Sequence, residues 1–234
     1  MSGHSKWSQI KHKKAIADSK KGKIFGKIAQ AISIAARSNP DPSTNLRLKG
    51  EIERARAVNM PNENIQRAIR RVTDKDAETL YEIQIEFIGP ANTAFVVLAI
   101  TNNSNRTIND LKKLAGTFGA HMAGQGAVMW MFHKAGYIHL SATADESTQL
   151  SAIDAGADDV SVDQDEVLVT TTPENFEAVK TSLGSMVVGS EIELSPTTWI
   201  TLEDPTTKEK VLAFLEAIDD HDDVQSVVTN ADLS

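Results

Sequence analysis

The 234-residue sequence contains no cysteine. Disulfide bonds, thiolate zinc sites and thiol catalysis are therefore excluded, and the composition fits a reducing cytoplasm. No apolar run reaches the roughly 18 residues that a membrane span needs, and no apolar stretch follows the basic N-terminus before Ile24. We therefore expect a cytoplasmic protein with neither a secretory signal nor a membrane partner.

The sequence also lacks the short motifs that bind or activate small molecules. It has no nucleophile elbow and no phosphate-binding glycine loop, and its six histidines show no metal-ligand spacing. The acidic run Asp219–Asp223 lies between a predicted helix and a predicted strand, which favours a solvated loop over a cation site. We therefore expect no enzyme activity, no cofactor, no metal and no small-molecule substrate.

Positive charge is scarce outside the first third of the chain. Residues 1–75 hold 17 Lys and Arg against 6 Asp and Glu, a net charge of +11. Residues 76–234 hold 7 against 26, a net charge of −19. Because a basic segment attracts phosphate while an acidic body repels it, this division predicts a nucleic-acid-binding N-terminal region. The alternative is a basic tail that only aids solubility.

The candidate nucleic-acid contacts fall into three groups. Basic residues of the N-terminal arm and first helix neutralise phosphates, and Trp7 either stacks on a base or docks the arm. Arginines of the next two helices bind phosphate or form an amphipathic polar face, and Arg106 lies in a segment that binds an anion or caps a helix. The set is His4, Lys6, Trp7, Lys11, His12, Lys13, Lys14, Lys20, Lys21, Lys23, Lys27, Arg54, Arg56, Arg67, Arg70, Arg71 and Arg106.

Apolar periodicity predicts three helices in the basic region. Residues 2–14 have no such period and are expected to form an extended arm. The first helix begins near Asp18 and ends before Asn39-Pro40, the second covers 45–58, and the third begins at Pro61.

The acidic body alternates strands and helices. The sequence predicts a hairpin of Tyr81–Ile88 and Thr93–Ile100, a helix over Asn105–Phe118 and a strand over Val128–Phe132. Residues 137–194 then follow the βαββαβ order of ferredoxin-like domains. The remaining βαβ tail, which starts with a strand at Thr198–Leu202, is the natural partner of the piece before residue 135.

These elements predict an α+β fold with three domains. An N-terminal three-helix bundle with a basic arm is followed by two ferredoxin-like α/β sandwich domains, one inserted in the other. The predicted boundaries are 1–76 for the arm and bundle, 77–134 plus 196–234 for the discontinuous domain, and 135–195 for the inserted domain.

Several motifs resemble the YebC/PmpR family in order and spacing, and the resemblance covers essentially the whole chain. The motifs are Gly3-His4-Ser5-Lys6-Trp7, Ile10-Lys11-His12, Lys20–Phe25, Asn59-Met60-Pro61, Thr101–Thr107, and Asp222–Gln225 with Thr229-Asn230. This sequence has Asn102-Asn103-Ser104 where the family often has Asp-Asn-Arg. It therefore lacks one arginine in that loop.

The resemblance implies a helical bundle followed by two α/β domains in a cytoplasmic protein. Bacterial relatives are described as probable DNA-binding transcriptional regulators, while others are linked to the ribosome, to stalled translation and to mitochondrial translational activation. Three hypotheses follow: a DNA-binding transcriptional regulator, a ribosome-associated factor that binds rRNA and relieves stalled translation, and a protein-interaction module that uses the acidic α/β domains. Charge does not separate the first two, because DNA and rRNA present the same phosphates.

Overall fold

The computed structural model describes residues 21–73, 78–141, 145–163 and 166–233. These residues form seven α-helices and two four-stranded antiparallel sheets. The predicted α+β fold class is confirmed. The predicted arm, residues 2–14, lies outside the described residues.

The helices and strands follow one another along the chain in an order close to the predicted one. In sequence they are α1 (Lys21–Ala36), α2 (Leu46–Ala57), α3 (Asn62–Arg70), β1 (Tyr81–Ile88), β2 (Ala94–Thr101), α4 (Ser104–Thr117), β3 (His121–Met122), β4 (Phe132–Leu140), α5 (Glu146–Asp154), β5 (Asp159–Asp163), β6 (Glu166–Thr171), α6 (Phe176–Leu183), β7 (Val187–Pro196), β8 (Ile200–Thr201), α7 (Pro205–Asp219), β9 (Val224–Thr229) and β10 (Ala231–Asp232).

The first three helices pack around one apolar core. Ile28 and Ile32 of α1 meet Leu48 and Ile52 of α2 and Ile65 of α3, and all five are buried. Within each helix these residues recur at the three- and four-residue spacing from which the helices were predicted. The basic residues of the same helices are left on the outside of the bundle.

Asn45 fixes the start of α2. Its side-chain oxygen accepts the backbone N–H of Leu48 at 3.0 Å, which caps the helix. Its side-chain amide donates to the carbonyl oxygens of Ala35 at 2.8 Å and Asn39 at 2.6 Å. One buried side chain therefore joins the end of α1 to the beginning of α2.

Asn59 ends α2 in the left-handed conformation. Its φ is 58°, a value that asparagine tolerates better than most residues with a side chain. The N–H of the next residue, Met60, then donates back to the carbonyl of Ala55 at 2.9 Å. The chain is thereby turned so that Pro61 directly precedes α3.

The first sheet has the strand order β3-β1-β2-β9, so strands from both ends of the acidic body lie side by side. Helices α4 and α7 cover one face, where the ring of Phe214 lies 4.9 Å from that of Phe95 and 5.9 Å from that of Phe87. A second apolar cluster, which includes Val128 and Phe132, covers the other face.

The second sheet has the order β5-β6-β4-β7, and every neighbouring pair is antiparallel. With α5 and α6 packed on one face, this is the ferredoxin-like arrangement that the element order predicted. Gly136 on β4 is required for this packing. A Cβ atom there would lie 2.4 Å from the ring of Phe176 on α6.

One predicted strand is wrong and another is shorter than predicted. Val128–Phe132 was expected as a strand, but Met129–Met131 forms a 3-10 turn and β4 starts at Phe132. The reason is that the carboxylate of Glu86 accepts the N–H groups of Val128 and Met129, which are then not available to a sheet. The Thr198–Leu202 strand shrinks to β8, which pairs with β10 outside both large sheets.

The domain boundaries at 76, 134 and 195 stay predictions. In the structure, β2 pairs directly with β9, although all the strands of the second sheet lie between them in the sequence. The strands β4 and β7 form one ladder that ends where Phe132 is opposite Pro196. None of the helices among the described residues is both long and apolar enough to cross a membrane.

Candidate nucleic-acid interface

The candidate contacts divide between described and undescribed parts of the chain. Those outside the described residues are His4, Lys6, Trp7, Lys11, His12, Lys13, Lys14 and Lys20. The described bundle, residues 21–73, still carries 11 Lys and Arg against 4 Asp and Glu, a net charge of +7. The excess of positive charge therefore extends from the arm into the folded helices.

Two lysines of α1 contact the C-terminal end of α7. The Nζ atom of Lys23 lies 3.2 Å from a carboxylate oxygen of Asp222 and donates to the carbonyl of Asp220 at 3.2 Å. The Nζ atom of Lys27 donates to the carbonyl of Asp219. Carbonyl groups at a helix C-terminus carry partial negative charge and lack partners within the helix, so ammonium groups stabilise them.

Arg106 of α4 contacts the same acidic segment through Asp223. Its guanidinium lies 3.0 Å from Asp223 Oδ2 and 3.3 Å from the hydroxyl of Thr101, while the hydroxyl of Thr107 donates to Asp223 Oδ2 at 2.6 Å. Burial raises the pKa of Asp223, but the hydrogen bonds from Thr107 and Arg106 and the charge of Arg106 outweigh it, and the net pKa is lowered.

The acidic loop, Asp219–Asp223, therefore brings together three of the predicted nucleic-acid contacts. Lys23, Lys27 and Arg106 surround it, although Arg106 is far from the others in sequence. The loop was expected to be solvated, but only part of it is: Asp222 is largely exposed, whereas Asp223 is buried, with its carboxylate bound by Arg106 and Thr107. Its chemical role in the structure is to supply negative charge and carbonyl oxygens to cations of two other elements.

The arginines of α2 and α3 lie in the last turns of their helices. Arg54 and Arg56 end α2, and Arg67 and Arg70 end α3, with Arg71 directly after. Arg54 lies 3.8 Å from Glu51 and Arg67 lies 3.3 Å from Glu63. The exposed pair of Arg67 and Glu63 contributes about 0–1 kcal/mol, so a phosphate can replace the carboxylate of Glu63, whereas Glu51 is largely buried. All five arginines are exposed at the bundle surface.

The bundle is fixed to the first sheet through α1. Ala31, Leu80 and Ile100 are buried together, and the guanidinium of Arg37 donates to the carbonyl of Leu80. Since α1 also carries Lys23 and Lys27, this contact determines where the basic surface lies relative to the acidic body. Within the described part of the chain, no group of three or more His, Asp and Glu side chains could hold a metal ion.

Two family models together match almost the whole chain. One, described as the TACO1/YebC protein N-terminal domain, matches residues 5–75. The other, described as the TACO1/YebC second and third domain, matches residues 80–231. This chain belongs to the TACO1/YebC family. The resemblance stated from the motifs is confirmed.

Relatives in the TACO1/YebC family are similar over their full length. A "Probable transcriptional regulatory protein" of Moorella thermoacetica is 43% identical over 242 residues, covering 100% of this chain and 96% of the relative. One of Rhodopirellula baltica is 41% identical, covering 99% and 96%. The crystal structure of a conserved hypothetical protein from Aquifex aeolicus has a TM-score of 0.84 at 34% identity, covering 92% of this chain and 91% of that one. The relatives' names support a regulator of transcription.

One exposed aromatic side chain of this TACO1/YebC chain was not among the contacts predicted from the sequence. Trp130 was not a candidate, yet 73% of it is exposed. It was assigned to the predicted strand Val128–Phe132. The one sequence signal of an irregular loop was the pair Gly124 and Gly126, which was interpreted as a break before the strand.

Proposed function

We propose that this chain is a non-enzymatic, cytoplasmic regulator that binds nucleic acid through its basic N-terminal region, and that its target is DNA. The observation that carries the proposal is the division of charge, +11 in residues 1–75 against −19 in the remainder. A polyanion is attracted to the first region and repelled by the second, so binding is oriented. The relatives' names support a role in transcription.

The lysines and the arginines of the N-terminal region are suited to different contacts with nucleic acid. Lysines of the arm neutralise phosphates without reading sequence, and the exposed arginines of α2 and α3 can bind phosphates in a bidentate manner. Gln66 and Arg67 are exposed on α3, and glutamine and arginine are the residue types that read adenine and guanine edges in the major groove. This observation favours DNA.

A second candidate is a ribosome-associated factor that binds rRNA. The observation in its favour is the composition of the arm, in which lysines surround a single tryptophan and no asparagine occurs in residues 1–20. Such a segment suits the phosphates and unpaired bases of folded RNA as well as it suits DNA. Co-sedimentation of the protein with purified ribosomes, compared with retardation of duplex DNA at the same salt concentration, separates the two candidates.

The proposal is tested by changing the charge of the arm while keeping its length. We expect the variant Lys6→Gln/Lys11→Gln/Lys13→Gln/Lys14→Gln/Lys20→Gln to bind nucleic acid weakly. If all five lysines contact phosphates, the slope of log affinity against log salt should fall by about 3.5–4.5, at about 0.7–0.9 per phosphate. The matched variant with five Lys→Arg changes should keep the slope. Equal slopes for the wild type and the glutamine variant would contradict the proposal.

A further inference from the structure

One part of the acidic body carries no acidic side chain. Between Leu111 and Ala144 the sequence contains no Asp or Glu, although residues 76–234 contain 26. We call residues 111–144 the acid-free segment. Its lysines and histidines are Lys112, Lys113, His121, His133, Lys134 and His139. An anionic ligand that the rest of the body repels is therefore tolerated here.

Trp130 is the most exposed aromatic residue described in this segment. The exposed fraction of the residue is 73%, while its indole N–H donates to the carbonyl of Ala127 at 3.0 Å. The polar group of the side chain is thus satisfied within the protein. The flat apolar face of the indole ring is therefore the part of the side chain that a partner can contact.

The backbone on both sides of Trp130 is held in place. The N–H of Met129 donates to the buried carboxylate of Glu86 at 3.1 Å, and the carbonyl of Met131 accepts the N–H of Thr197 at 2.8 Å. A ring on a fixed backbone loses little conformational entropy when a partner binds, which favours recognition.

The end of β7 that packs against this loop, with the residues that follow it, is also free of acidic side chains. Leu194 joins the apolar cluster of Val128 and Phe132, and the sequence from Leu194 to Leu202 contains no Asp or Glu. The carboxylate of Glu86 is the neighbouring negative charge, and it is buried and faces three backbone N–H donors. Neither Leu194–Leu202 nor the buried carboxylate of Glu86 therefore presents an exposed negative charge to a phosphate strand that passes over Trp130.

We propose that Trp130 stacks on an unpaired nucleobase and forms a second contact with the nucleic acid that the N-terminal region binds. This inference rests on the proposed function. Base stacking on an aromatic ring is tolerant of sequence and needs a base that is not already stacked in a duplex. The ligand of this site is therefore a single-stranded segment of RNA or DNA.

The test uses the full chain and three matched variants, with a 12-nucleotide oligouridine, a 12-nucleotide oligothymidine and a 12-base-pair DNA duplex as probes. Loss of stacking costs about 1–3 kcal/mol per base, so Trp130→Ala should weaken binding of a single strand by about 5- to 150-fold. The salt slope and the duplex affinity should not change. Trp130→Phe should keep most of the affinity. Tyr81→Ala removes another exposed aromatic side chain and should have no effect.

The outcomes separate this inference from the proposed function. If Trp130→Ala binds the single strands as tightly as the wild type, while the five-lysine glutamine variant loses binding, the stacking site is wrong and the proposed function stands. If the wild type binds none of the three probes, both are wrong. An equal loss for single strands and duplex in a folded Trp130→Ala variant would also overturn the stacking site. A larger loss for oligouridine than for oligothymidine would assign the site to RNA.

Discussion

At the residue scale, Glu86 organises the loop that carries Trp130. Its two carboxylate oxygens accept the backbone N–H groups of Gly126 at 2.6 Å, Val128 at 2.8 Å and Met129 at 3.1 Å. Burial raises the pKa of this carboxyl group, but the hydrogen bonds from Val128, Gly126 and Met129 together outweigh it. The net pKa is below the ordinary value of 4.5.

We expect Glu86→Gln to destabilise the protein. A side-chain amide can accept only on its oxygen, so at least one of the N–H groups that Glu86 holds is left without a partner. Each such loss costs about 1–3 kcal/mol when the group is buried. Chemical denaturation of both proteins at neutral pH measures the change in the free energy of unfolding. Glu82→Gln, in the same strand, removes a half-exposed pair with Arg47 and should cost less than about 1 kcal/mol.

The effect of Glu86→Gln should depend on pH. Because the folded-state pKa is lowered, the ionised carboxylate stabilises the fold fully above pH 4.5, the ordinary value. That stabilisation is lost as the pH falls through the lower folded-state pKa. The difference in unfolding free energy between wild type and variant should therefore shrink as the pH falls from 7 to 3. A difference that stays constant over this range would show that the charge of Glu86 is not what stabilises the loop.

At the scale of elements, the acidic loop holds the lysines of α1 that the proposed function assigns to nucleic acid. Asp222 neutralises Lys23, and the last carbonyl groups of α7 take up Lys23 and Lys27. The side chains of Lys23 and Asp222 are 55% and 76% exposed, so this ion pair contributes at most about 1 kcal/mol. A phosphate strand can therefore displace Asp222 without unfolding either helix.

We expect Asp222→Asn to strengthen nucleic-acid binding with little change in stability. The variant loses one negative charge and leaves Lys23 available to a phosphate. The salt slope should then become steeper by about 0.7–0.9. A salt titration with the same DNA probe measures it. Asp154→Asn makes the same change of charge on exposed α5 and should leave the slope unchanged. If both variants behave alike, net charge and not Lys23 determines the effect.

Local pattern predicted most of the elements but not the contacts between them. The helices α2 and α3 and the hairpin of β1 and β2 have strong periods and clear breaks at Pro61 and Gly89, so their bounds were predicted closely. The strand at Val128–Phe132 failed because Glu86, distant in sequence, binds the N–H groups. The pairing of Lys23 with Asp222 had no local signal either, since 199 positions separate the two residues.

At the scale of the whole molecule, the two sandwiches are joined by one long ladder, which has a register shift between His139 and Leu140. The strands β4 and β7 pair from Leu140 and Val187 to Phe132 and Pro196. Phe132 and Leu194 belong to the apolar cluster of the first sheet, whereas Ile138 belongs to the core of the second. The same two strands therefore contribute to both cores. A domain boundary at residue 135 cuts through β4 and separates these two contributions.

We expect the second sandwich to fold alone, and to be more stable when cut at the ends of this ladder. A fragment of residues 132–196 keeps the pairs that join Phe132, His133 and Lys134 to β7, and a fragment of residues 135–195 loses them. Both contain the core of Ile138, Val169 and Val179. Amide spectra should be dispersed for both fragments, with the higher melting temperature for 132–196. An undispersed spectrum for 132–196 would mean that this unit needs the rest of the chain.

The position of Phe132 opposite Pro196 has a consequence for how such a chain can arise. The polypeptide enters and leaves the second sandwich at neighbouring points, about 5 Å apart for directly opposed residues. Because the folded unit holds its own two ends together, inserting it between two neighbouring residues adds little to the loop-closure entropy, which in any case grows slowly with chain length. We therefore expect that a short turn between Phe132 and Pro196 can take the place of the whole unit, or receive it, without changing the pairing of β1, β2 and β9.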